Sequence, residues 1–230
     1  MTTHIDLAHT TVRALNGELH LLAAGTNQPA WRIENPQGKH AIAAGLDAPV
    51  TVEIHGHVGY YCAGMNKHAT VIVHGNAGVG VAENMMSGLV RVNGDASQSA
   101  GSSGRGGLLV IEGNASARCG ISLKGLDIVV KGSIGPMSAF MAQAGALVVL
   151  GDAGEHLGDS LYEARIFVRG TVKSLGADCV ETEPEEEDLT VLKDVLARAG
   201  IADDVHSDEF RLYRSARTLY HFHVDNAGAY

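Results

Sequence analysis

Val52-Glu-Ile54-His-Gly56 is followed 19 residues later by Val71-Ile-Val73-His-Gly75, and 19 later again by Val90-Arg-Val92-Asn-Gly94. The spacing continues without insertion or deletion through Gly113, Gly132, Gly151 and Gly170, and the residues four and two places ahead of each glycine stay aliphatic: Leu109/Ile111, Ile128/Val130, Leu147/Val149 and Ile166/Val168. Alternation with period 2 is the signature of a strand with one buried face. Locked inside a fixed period near 20, it marks a solenoid whose units bury their apolar faces only against their neighbours. A polar residue follows each glycine (His57, Asn76, Asp95, Asn114, Ser133, Asp152, Thr171), and seven places on the residue is always Ala or Gly, from Ala63 to Ala177. A strand, a corner, a second short strand and another corner fit this repeat, and crossovers between parallel strands are right-handed. The expected fold is all-β: a right-handed parallel β-helix of about seven coils over residues 46–181, about 34 Å long at the inter-strand spacing.

The glycines need a reason, since each costs about 0.5–1 kcal/mol relative to Ala in regular structure. Either a positive φ or a backbone approach too close for a Cβ is expected at the same corner of every coil. Residues 1–45 leave the repeat and read as an N-terminal cap. Val12, Leu15, Leu19 and Leu22 define an amphipathic helix over about 11–24, with Thr10 or Thr11 as N-cap, Gly25 as stop, and Trp31-Arg-Ile33 as a degenerate opening strand. Residues 182–230 read as an acidic helix closed by Gly200, with Leu189, Leu192, Leu196 and Ala199 inward, and then an aromatic-basic segment around Phe210–His223. That last segment has two readings, a docking tail for a partner or a strap folded on its own coils.

Composition narrows the function. Glycine is abundant, 29 of 230 residues, and aromatics make only 5%, so the core must be small and aliphatic. The formal charge of -9 is confined to residues 181–209, with eleven acids against two bases; the remainder is balanced. A neutral body with one acidic segment lacks the basic stripe of a nucleic-acid binder. Nothing approaches the ~18 apolar residues of a membrane span, and the first 25 residues do not resemble a secretion signal, so a cytoplasmic chain without membrane or nucleic-acid partners is expected. Cys62, Cys119 and Cys179 are odd in number and unclustered, which favours buried fillers over disulfides or a thiolate metal site.

No catalytic constellation emerges. His55 and His74 share a register on adjacent coils, with His57 and His68 nearby, but elsewhere that register holds Asn93, Glu112, Lys131, Leu150 and Arg169. It reads as an ordinary outward face, and no metal ligand is assigned. Gly101-Ser-Ser-Gly104-Arg-Gly106-Gly107 lacks the Gly-Lys-Ser/Thr ending of a phosphate loop and no helix signal follows it. A Gly-x-Ser-x-Gly nucleophile elbow is missing, and Asp95 and Asp152 lie three coils apart. The expected catalytic, cofactor-binding and metal residues of this chain are therefore none, and the ladder glycines are structural.

Ala82-Glu-Asn-Met85-Met-Ser-Gly88-Leu-Val90-Arg-Val92-Asn-Gly94-Asp-Ala96 has a spacing that resembles the glycine-rich β-helix forming the C-terminal domain of glutamate synthase, and also the β-helix subunit of formylmethanofuran dehydrogenase. The pattern recurs in weaker form in all seven coils. In length and ends the chain is most similar to the β-helix subunits, termed B, of the N-methylglutamate synthases (methylamine-glutamate N-methyltransferases). That resemblance implies a hetero-oligomer making N-methylglutamate and ammonia from glutamate and methylamine. It implies as partners a glutamine amidotransferase-like subunit and an FMN-binding, glutamate-synthase-like subunit with an iron–sulfur cluster. It carries no catalytic residue onto this chain, which is expected to be a scaffold.

Overall fold

The computed structural model describes residues 2–22 and 30–217. It is a parallel β-solenoid of about seven turns. The described strands are β1 (Thr2–Asp6), β2 (Ala30–Glu34), β3 (Thr51–His55), β4 (Thr70–Val73), β5 (Leu89–Val92), β6 (Leu108–Ile111), β7 (Asp127–Val130), β8 (Ala146–Val149), β9 (Arg165–Val168), β10 (Cys179–Thr182) and β11 (Arg211–Ser215). They form one sheet in the order β1-β2-β3-β4-β5-β6-β7-β8-β9-β11-β10. From β3 to β9 every pairing is parallel and shifts by one repeat, Val52 opposite Val71 and so on. The two aliphatic residues ahead of each ladder glycine point inward and stack on their equivalents, none more than 1% exposed.

Of the two reasons proposed for the glycine ladder, close approach is the one at work. Only Gly56 has a positive φ, +138°. A Cβ on Gly75 would lie 2.7 Å from the Gly56 carbonyl, and one on Gly151 would lie 2.6 Å from Gly132 O and Ser133 Oγ. The polar residue after each glycine shares this corner. Its side chain accepts a hydrogen bond from the backbone N–H of its equivalent in the next coil, Asn76 Oδ1 from Asp95 (2.9 Å), Asp95 Oδ1 from Asn114 (2.7 Å) and Asn114 Oδ1 from Ser133 (2.9 Å). The series starts at His57 Nδ1 and ends with Thr171 donating to Asp152.

The expected second strand is reduced to one bridging residue per coil, the column Val58, Ala77, Ala96, Ala115, Ile134, Ala153, Val172. Beyond it the chain bends through three alternate residues with positive φ, for example Tyr61 (59°), Ala63 (53°) and Met65 (57°), and the pattern repeats through His156, Gly158 and Ser160. Amides along this arc alternate in direction: Tyr61 N–H donates forward to Val79 O (2.8 Å) and Ala63 N–H backward to Ile42 O (3.0 Å). The arc therefore keeps the coil-to-coil hydrogen bonding of a strand while curving. It also explains the fixed small residue, since Ala63 and Ala82 are fully buried and left-handed, a conformation that costs a Cβ-bearing residue about 1–2 kcal/mol.

The helices pack on the solenoid in two different ways: α1 joins its inner core, and α2 lies on its outer face. Helix α1 (Val12–His20) starts at Thr11, whose Oγ1 accepts from Ala14 N (3.1 Å), and puts Leu15 and Leu19 into the same core as the coil aliphatics. Asn16 pins it to the arc, donating to Ala41 O (2.8 Å) and accepting from Ala43 N (3.0 Å). Gly25, the expected stop, lies outside the described residues. The sheet begins before the repeat does: β1 and β2 add two parallel strands from residues 1–45.

Helix α2 (Glu186–Ala199) closes on Gly200 at φ 77° and lies across the outer face of β6, β7 and β8. There Leu192, Val195, Leu196 and Ala199 pack on Val110, Val129, Val148 and Phe167, a second core outside the solenoid. Leu189 is only half-buried, and the inward position one residue earlier belongs to Asp188, fully buried. Of the aromatic-basic segment, β11 is a strap, antiparallel to both β9 and β10; Tyr220 to His223 lie outside the described residues.

Candidate functional site

The glycine-rich run at 101–107 is one coil's arc. Gly101 N–H donates to Val81 O (2.9 Å), Ser103 N–H to Ile121 O (2.9 Å) and Arg105 N–H to Met85 O (2.7 Å). Those amides are spent on neighbouring coils and cannot cradle a phosphate. Met85, which carries the family spacing, is a fully buried core residue. Cys62, Cys119 and Cys179 are free and buried, and burial pushes the Cys62 and Cys119 thiols up to about 12 and Cys179 up to about 11. None is a nucleophile at neutral pH.

An open groove of about 580 Å³ lies where β9, α2 and β11 meet, lined by Tyr162, Glu163, Arg165, Glu187, Arg214 and Arg217 among others. Its cations are already engaged. Arg165 bonds Asp188 (2.7 Å) and Glu187 (2.6 Å), Arg214 bonds the same Asp188 oxygen, and Arg217 pairs with Asp178 (2.5 Å). Burial alone would raise the Asp188 carboxyl; hydrogen bonds from Arg165 and the Glu185 amide, with the charges of both arginines, hold it below the usual carboxylate range. The groove is a structural clasp joining the acidic segment to the basic strap, with Tyr162 exposed at its rim.

Polar groups converge differently at the other half of the sheet, on the outer face that α2 leaves uncovered. Register alone stacks His55 on His74, ring centroids 4.4 Å apart and planes at 21°. Glu53, two residues before His55 and hence on the same face, completes the group: its Oε2 lies 3.5 Å from His55 Nε2 and 3.2 Å from His74 Nε2. Asn93, one coil further, reaches His74 Nδ1 at 3.1 Å. His57 is instead the first member of the corner ladder, and His68 lies 3.5 Å from Asp47. The histidines stand out in the sequence and Glu53 does not; the signal that would have found it is Glu-x-His with a second His one full repeat on.

Protein GlxC of Rhizobium meliloti (strain 1021) is 62% identical over 226 residues, an alignment spanning 98% of this chain and 99% of that protein. The chain belongs to the GlxC family. No protein-family model matches it. Near-complete coverage of both sequences means that both helices, as well as the coils, lie within the shared GlxC-family length. Among the described residues no helix is long and apolar enough to cross a membrane.

Proposed function

We propose that this GlxC-family chain is the non-catalytic β-helix subunit of a glutamate-synthase-like complex, of the type that makes N-methylglutamate from glutamate and methylamine. Its partners in this reading are a glutamine amidotransferase-like subunit and an FMN-binding subunit with an iron–sulfur cluster. One observation carries the scaffold role: the described coils keep a single register, and their backbone amides, small corner residues and inward side chains are consumed in holding coil to coil. Sites are normally grafted where such a register is interrupted. The glycine-rich spacing around Met85 supports the choice of complex.

The donor set of this chain does not fit an iron–sulfur cluster. Cys62 and Cys119 occupy one register three coils apart, and all three thiols are buried, whereas clusters need several converging thiolates. In this reading both the flavin and the cluster belong to a partner. Native purification of the tagged chain from its own organism, followed by mass spectrometry and absorption spectroscopy, tests the proposal. The expected result is co-purification of an amidotransferase-like and a flavin-bearing subunit, while the chain expressed alone is colourless. Purification without either subunit, or turnover by the lone chain, would overturn it.

A further inference from the structure

We propose that Glu53, His55 and His74 form a binding site for a divalent first-row transition metal of the zinc class, with one coordination position open to solvent. Two imidazoles and one carboxylate are a recognised zinc donor set, leaving a fourth tetrahedral position free. The three ligand atoms lie within 4.8 Å of one another. Ligand atoms at the corners of a tetrahedron around zinc are roughly 3.3 Å apart given bond lengths of about 2.0–2.1 Å. The two carboxylate–imidazole distances, 3.5 and 3.2 Å, already match that geometry. The two rings, stacked at 21°, must unstack and turn about their χ2 bonds for both lone pairs to converge on one ion.

Two further features point to a ligand rather than to an idle polar patch. His55 Nε2 is buried, faces the Glu53 carboxylate and has no hydrogen-bond partner. A buried nitrogen left in that state costs about 1–3 kcal/mol, and a metal at the centre of the group would satisfy it. The second feature is Asn93 against His74 Nδ1. The Asn93 amide nitrogen lies against Nδ1 as the structure stands; turned by 180°, its oxygen would accept the Nδ1 proton and leave the Nε2 lone pair free, the outer-shell arrangement that orients metal-bound histidines.

The surrounding charges leave the carboxylate available. Arg32, opposite Glu53 on the neighbouring strand, is held by Glu34 at 2.6 Å. Two coils on from His74, Glu112 is clamped by Arg91 and by Lys131 (2.6 Å), so the ladder offers no equivalent group there. The site bridges β3 and β4 and would staple two coils.

Calorimetric titration of the metal-free full-length chain with Zn²⁺, and visible absorption with Co²⁺, test this. One equivalent of Zn²⁺ is expected, with the intense bands of four-coordinate Co²⁺ and no thiolate charge transfer. Asn93→Leu should weaken binding about tenfold, as outer-shell losses do. His74→Gln and Glu53→Gln should weaken it further, and His68→Gln should leave it unchanged. Zn²⁺ should raise the melting temperature of the native chain but not of His74→Gln, whose metal-free melting curve reports that it is folded. Absence of stoichiometric uptake, or equal uptake by the native chain and the folded His74→Gln variant, would overturn the proposal.

Discussion

Two glycines in this chain should respond oppositely to the same substitution. At Gly151 the added methyl would meet the Gly132 carbonyl and Ser133 Oγ at 2.6 Å, atoms fixed by coil-to-coil hydrogen bonds. Neither coil can move without displacing the stack, so Gly151→Ala should destabilise by about 2 kcal/mol, the usual scale for forced overpacking. At Gly17, exposed in α1 with negative φ, nothing lies within 4 Å of the added atom. There Gly17→Ala should stabilise by about 0.5–1 kcal/mol through helix propensity. Urea denaturation of both variants checks the pair; a shift of the same sign in both would contradict the close-approach account of the ladder.

Among the elements, α2 depends on one carboxylate. Asp188 is buried at its first turn and receives Arg165 from β9, Arg214 from β11 and the Glu185 amide (2.9 Å). At the opposite end Arg91 donates to Ala199 O (2.8 Å) and Arg198 pairs with Asp127. Asp188→Asn would leave Arg214 without its carboxylate and Arg165 with Glu187 alone, and since both guanidiniums retain some solvent the loss should be about 3 kcal/mol, the lower end for breaking a buried pair. The pH dependence has a definite sign. The folded carboxyl titrates below its ordinary value of 3.8, so its stabilisation is complete above the unfolded-chain value of about 3.9 and is lost as pH falls through the folded one. Acid melting followed by circular dichroism should show this loss below about pH 4 in the native chain and a smaller one in Asp188→Asn. The helix itself was legible in the sequence because Leu192, Leu196, Ala199 and Gly200 obey local rules. Its docking place was only half legible: Val110, Val129, Val148 and Phe167 break the inward-outward alternation, and strands buried on both faces read as continuous apolar runs. Asp188 was hidden among eleven acids, because its burial depends on Arg214, 26 residues away. The arc was illegible for a different reason: Tyr61, Arg118 and His156 adopt positive φ under tertiary hydrogen bonding, against their own propensities.

For the whole molecule, a solenoid held by nearest-neighbour contacts should tolerate loss of one complete unit. The coil from His57 to Gly75 suits this test because α1 is pinned through Ala41, Ala43 and Ala44, and α2 through Arg91, Asp127 and Arg165, none of them within it. Its deletion joins Gly56 directly to Asn76, so the next glycine, Gly94, again follows after 19 residues. The inward column then passes from Val52/Ile54 to Val90/Val92, and the arc of residues 38–46 finds equivalent carbonyls at 76–83. Specific losses are the stacking of His40 on Tyr60, the pairs of Lys67 and His68 with Asp47, and His74 from the Glu53–His55–His74 group. The shortened chain should therefore remain folded, with a lower melting temperature and no stoichiometric Zn²⁺ uptake. Removing residues 57–66 instead leaves Val71 about nine residues after Val52, too few to complete a turn that takes 19 and bring the strand back beside its partner, so that variant should fail to give a cooperative transition. Size-exclusion chromatography with far-ultraviolet circular dichroism separates the outcomes, and a full-coil deletion that unfolds as readily as the half-coil one would mean that the stability of this molecule is not built from repeating nearest-neighbour terms.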